Sequence, residues 1–113
     1  MKHTVKNLVI ENGSDTGSAS VTLKKGEVIA CAIYKSKTPS FPVDIKIEDS
    51  LGDELQPFMT FQDYEPGNGA YIESRKPLSV GRHNEITVLA KSGQPLTEKV
   101  TFQMIFYIKD INA

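Results

Sequence analysis

Cys31 is the chain's only thiol, set between two alanines in Val28-Ile29-Ala30-Cys31-Ala32-Ile33-Tyr34. A cysteine attacks as its thiolate, which requires a neighbouring base, a cation or a helix N-terminus to lower its pKa. This apolar run supplies none of them, so Cys31 reads as a buried structural thiol. It has no partner for an internal disulfide, which favours a reducing compartment. His3 and His83 are the only histidines and belong to no paired His or Cys motif of the kind that holds a transition metal. His83, in Gly81-Arg82-His83-Asn84, reads as a solvated loop residue. No serine sits in a Gly-x-Ser-x-Gly elbow, so nothing raises a Ser-His-Asp reading.

Carboxylates are plentiful at Asp44, Glu48, Asp49, Asp53, Glu54, Asp63, Glu65 and Glu73. Two of them could share acid and base roles only in a cleft that shifts their pKa values, and a domain of this size has little room for one. The segment from Asp44 to Glu54 departs from the EF-hand pattern at its third and fifth positions and at the glycine. Asp49, Asp53, Asp63 and Glu65 are the residues a loop-bound calcium ion would use, with solvated charge as the simpler reading. No cofactor motif is present: Gly67-Asn68-Gly69 lacks the following helix that a phosphate site needs.

Binding chemistry has two candidate locations. Tyr34, Lys35, Lys37 and Phe41 put two cations beside two aromatics, as single-strand binders do. Thirteen basic against fourteen acidic side chains leave a formal charge of -1, so no bulk field draws the protein to nucleic acid or to an anionic membrane. Tyr64 and Tyr71 flank the turn at Pro66-Gly67-Asn68-Gly69 and offer a small platform for a sugar or cell-surface ligand, although the chain has no Trp. Asn12-Gly13-Ser14 matches the glycosylation triplet, read as accidental without a secretory leader.

The elements that would position these residues read as strands. Runs of β-type sequence recur about every ten residues between Gly, Pro, Asn and Asp clusters. They are Thr4–Glu11, Ser18–Leu23, Val28–Tyr34, Val43–Glu48, Phe58–Asp63, Ala70–Ser74, Leu78–Val80, Glu85–Lys91 and Val100–Ile108. Asp49–Pro57 reads as a polar excursion with a short helical turn around Asp53-Glu54-Leu55. In the last run Val100, Phe102, Met104, Phe106 and Ile108 share one side of a period-two pattern. No helical period is sustained over ten residues. One domain over residues 1–113 is the natural unit, with 39% hydrophobic and 24% charged residues giving ordinary globular composition. The class is all-β: a two-sheet antiparallel sandwich, first a single jelly roll, with an immunoglobulin-like Greek-key sandwich as the alternative.

No apolar run approaches the roughly 20 residues of a membrane-spanning helix. Met1-Lys2-His3 leads straight into strand-like sequence with no signal-peptide core, which predicts cytoplasmic synthesis or a mature form whose leader is missing. The remaining positive signal is apolar surface beyond what one core needs. Val28–Tyr34 is apolar on both sides, and Ile105 and Tyr107 add to the outer side of the last strand. Ile29, Ile33, Ile105 and Tyr107 are therefore expected at a subunit interface, the alternative being loops folded over those faces. The functional expectation is a non-enzymatic structural or assembly module with protein partners. By fold-level analogy it is a small virion-type subunit, and sugar or surface-ligand binding around Tyr64 and Tyr71 is the alternative.

Overall fold

A computed structural model describes residues 2–24, 27–66, 75–78, 80 and 85–109. Eight strands run through them: β1 Lys2–Ile10, β2 Thr16–Thr22, β3 Glu27–Lys35, β4 Val43–Asp49, β5 Glu54–Thr60, β6 Lys76–Pro77, β7 Glu85–Ser92 and β8 Val100–Lys109. They form two four-stranded antiparallel sheets, β1-β8-β3-β6 (sheet A) and β2-β7-β4-β5 (sheet B). The chain is an all-β sandwich. Pairing is nested: β1 with β8, β2 with β7, β3 with β6 and β4 with β5.

Alternation builds the core from both sheets. Leu8 and Ile10 of β1, Cys31 and Ile33 of β3, and Phe102, Met104, Phe106 and Ile108 of β8 point inward from sheet A. Val21, Ile45, Ile47, Ile86 and Val88 meet them from sheet B. The even positions of β8 are buried from Val100 to Ile108, as the period-two reading requires. At one edge of the sandwich β1 and β2 lie side by side. An added Cβ at Gly17 would stand 2.5 Å from the Val9 carbonyl oxygen, so only glycine fits there.

Two segments depart from the sequence reading. The chain around Asp53-Glu54-Leu55 makes no helical turn: β5 begins at Glu54, ahead of the strand expected from Phe58. The Asp49 carboxylate accepts from Leu51 N and Asp53 N at 2.9 Å, and Gly52 supplies a φ of +86°, which together close a β4–β5 hairpin. Pro57 is tolerated because β5 is an edge strand. The run after it ends in a three-ten turn, Phe61–Tyr64, in place of a continued strand. The expected strand Ala70–Ser74, the Gly67-Asn68-Gly69 turn and the His83 loop lie outside the described residues.

Candidate functional site

The outer face of sheet A is where register gathers the apolar surplus. Three cross-strand rows cross it. Val5 stands opposite Ile105, which stands opposite Ala32. His3, Tyr107, Ala30 and Pro77 form the second row, and Asn7, Gln103 and Tyr34 the third. Ala30, Ala32 and Tyr107 are buried there as a cluster separate from the main core, with Ile29 and Ile105 packed against it half-buried. Val5 is 52% exposed and Tyr34 41% exposed.

Polar contacts hold the Tyr107 end in place. Arg75 Nε donates to the Tyr107 hydroxyl at 2.9 Å, with its guanidinium carbon 5.5 Å from that ring's centroid. Its Nη2 reaches the Tyr34 hydroxyl at 3.4 Å. His3 meets the Tyr107 ring edge-on at 5.1 Å between centroids. An aromatic with a polar tip is thereby buried on an outward face without an orphaned hydroxyl.

The interface expected from the sequence is split. Ile33 is fully buried in the main core and takes no part in any outer surface. Ile29 and Ile33 share one parity in sequence, yet the register slips between Val28 and Ala30. That bulge places Val28 inward and Ala30 outward, so strict alternation across it fails. Ile29 and Ile105 do flank the outer patch, and Tyr107 lies on it at 3% exposure.

The ligand platform is corrected at Tyr64. Its side chain is fully buried, its hydroxyl donates to the Ile45 carbonyl at 3.4 Å, and the Lys76 ammonium lies 5.3 Å from its ring centroid. The three-ten turn puts Phe61 and Tyr64, three residues apart, on the same inward side. Burial pushes the Tyr64 phenol above its ordinary pKa. No ring face is left for a sugar. Tyr71 lies outside the described residues.

Cys31 is fully buried on the inner side of β3. Burial pushes its thiol up to about 12, against the smaller opposing pull of the Lys76 ammonium. Near neutral pH it is a protonated core side chain. The loop carboxylates are engaged separately. Asp49 closes its own hairpin, Asp63 pairs with Lys76, and Glu65 pairs with Lys35 at 3.0 Å. Among the described residues no three His, Cys, Asp or Glu side chains gather as a metal site would need. The cations beside Tyr34 and Phe41 are also committed: Lys35 to Glu65 with its ammonium 5.3 Å from the Phe61 centroid, and Lys37 to Glu98 at 3.3 Å.

Sequence reasoning missed Phe58. It lies on the outer face of sheet B, 41% exposed, with the ammoniums of Lys46 and Lys91 at 5.6 and 5.2 Å from its centroid. The available signal was Phe58 alternating with inward-packed Met59 in an edge strand marked by Pro57. No helix among the described residues is long and apolar enough to cross a membrane. Compared with protein-family models, curated proteins and solved structures, the chain matches none.

Proposed function

We propose that this chain is a non-enzymatic assembly module working through the outer face of sheet A. The observation that carries the reading is the row Val5–Ile105–Ala32, an apolar strip with a half-exposed end, bordered by Asn7, Gln103 and the His3–Tyr107–Arg75 group. An apolar centre with a polar border is the layout of a protein–protein contact. Its partners are further copies of the chain or other subunits of a larger assembly.

The nested strand pairing supports a single jelly roll within the sandwich class. In an immunoglobulin sandwich the first strand pairs with the second, whereas β1 here pairs with the last. Jelly rolls recur in virus shells, and a small virion-type subunit (capsid, vertex, decoration or fibre) is the assembly we assign by that analogy. Sedimentation velocity at micromolar concentration tests the proposal. Self-association that Val5→Glu abolishes while the far-UV circular dichroism stays unchanged is the expected result. A clean monomer whose native form co-purifies with no particle overturns it.

A further inference from the structure

The outer face of sheet B is a second surface, unused by the assembly reading and different in chemistry. Register sets Ser18 opposite Leu89 and Leu89 opposite Lys46, with Thr16, Lys91, Asp44 and Thr60 in the next row. A third row holds Ser20, Thr87, Glu48 and Glu54. Thr16, Ser18, Leu89, Phe58 and Lys91 line an open groove of about 390 Å³, toward the low end of small-molecule sites. One exposed ring and one aliphatic side chain thus sit among hydroxyls and charges. A sugar ring asks for this mixture, because one of its faces is apolar C–H and its rim is hydroxyl.

Charge decides which sugar. The Lys46 ammonium is held by Glu48 at 3.2 Å and Glu54 at 3.6 Å. Lys91 stands in register with Asp44, but its ammonium lies over Phe58 and makes no ion pair among the described residues. A single carboxylate beside the stacked ring complements Lys91. A dense polyanion such as nucleic acid would meet Asp44, Glu48 and Glu54 on the same face. We infer that this face binds an acidic carbohydrate of the hexuronate type, its ring stacked on Leu89 and on Phe58 as the Lys91 ammonium leaves that ring for the sugar's carboxylate.

Amide chemical-shift titration of the full chain tests the site, with a trisaccharide carrying one terminal glucuronate, neutral maltotriose and an oligo-dT as probes. The glucuronate trisaccharide should shift the amides of Ser18, Phe58, Leu89 and Lys91. Phe58→Ala should weaken binding about tenfold. Lys91→Gln should weaken it about fivefold, bringing the acidic sugar down to the level of maltotriose. Both variants should keep the native circular dichroism because both side chains are exposed. No shift with the glucuronate trisaccharide at millimolar concentration, affinity unchanged in Phe58→Ala, or tighter binding of oligo-dT than of the sugar each overturns the inference.

Discussion

The two outer faces of this sandwich are made by the same alternation and end as different surfaces. On sheet A, β8 sends Ile105 and Tyr107 outward between Val5 and Ala32 and beside Ala30, and part of that patch is buried within the subunit itself. On sheet B, β2 presents Thr16, Ser18, Ser20 and Thr22, while β7 and β4 present Thr87, Lys91, Asp44, Lys46 and Glu48. Among the described residues of the sheet B strands, the one large exposed apolar side chain is Phe58, on the edge strand β5 under two ammoniums. A sheet whose outer face stays in water is expected to be polar, and sheet B meets that expectation. Sheet A does not, and that excess is what an assembly contact would use.

The sharpest way to break the comparison is to ask whether β3 has one buried face or two. Ile33→Ala removes a fully buried core side chain and should cost about 4 kcal/mol in urea unfolding. Ile105→Ala, half-buried on the outer patch, should cost about 1 kcal/mol in the monomer. Equal losses would mean that the bulge between Val28 and Ala30 does not separate the faces as described. Tyr107→Ala should cost about 3 kcal/mol, because it removes a ring packed by Ala30, His3 and Arg75. Tyr107→Phe, which deletes only the hydroxyl that accepts from Arg75, should cost about 1 kcal/mol.

The join between the sheets can be tested where β1 meets β2. Gly17→Ala would force its Cβ against the Val9 carbonyl oxygen and Ile10 Cγ1, at 2.5 and 3.1 Å if nothing moved. Backbone cannot give way as a flexible side chain does, so about 2 kcal/mol of stability should be lost. Proteolysis should then open the β1 edge first. A Gly17→Ala variant as stable as the parent would show that the two edges are not in contact.

How much of this was legible in the sequence depended on whether local chemistry kept to a simple period. β8 was readable because its five inward residues alternate without a break. β4 was readable for the same reason. β3 was readable as a strand buried on both sides, but Ile29 and Ile33 parted because a bulge reverses parity, and an apolar run carries no mark of where that happens. Residues 54–57, the first half of β5, hid their strand behind Pro57 and an acidic hairpin whose turn is closed by a side chain, Asp49. Tyr64 was legible only through its three-residue spacing from Phe61, which a three-ten turn converts into a shared inward side. The Phe58 groove is assembled from β2, β5 and β7, strands distant in sequence, and only pairing brings it together.

Beneath sheet A, Cys31 gives a pH test of how dry its inner face is. The folded pKa of about 12 lies above the ordinary thiol value of 9.0, so folding favours the protonated thiol. That contribution is complete below about pH 9 and is lost as pH rises from there toward 12. Stability against urea should therefore fall between about pH 8 and pH 10, by about 1 kcal/mol from this group. Cys31→Ala should remove that part of the slope and leave what other groups contribute. A thiol that reacts with a disulfide reagent at about pH 8 as fast as free cysteine would refute its burial.

Phe58 should show the smallest stability effect of all, and that smallness is informative. It is exposed at 41%, and its contacts are two surface ammoniums, each worth about 0.5 kcal/mol at such sites. Lys46 is already held by Glu48 and Glu54, whose hydrogen bond and charges raise its pKa and keep it protonated. Removing the ring leaves no cavity inside the core, so Phe58→Ala should shift stability by under about 1 kcal/mol, against about 3 for Tyr107→Ala. Two aromatic side chains on outward faces would then differ by roughly the gap between packing and display. A large loss at Phe58 would make its ring structural, and sheet B's outer face would no longer be a surface held open to solvent.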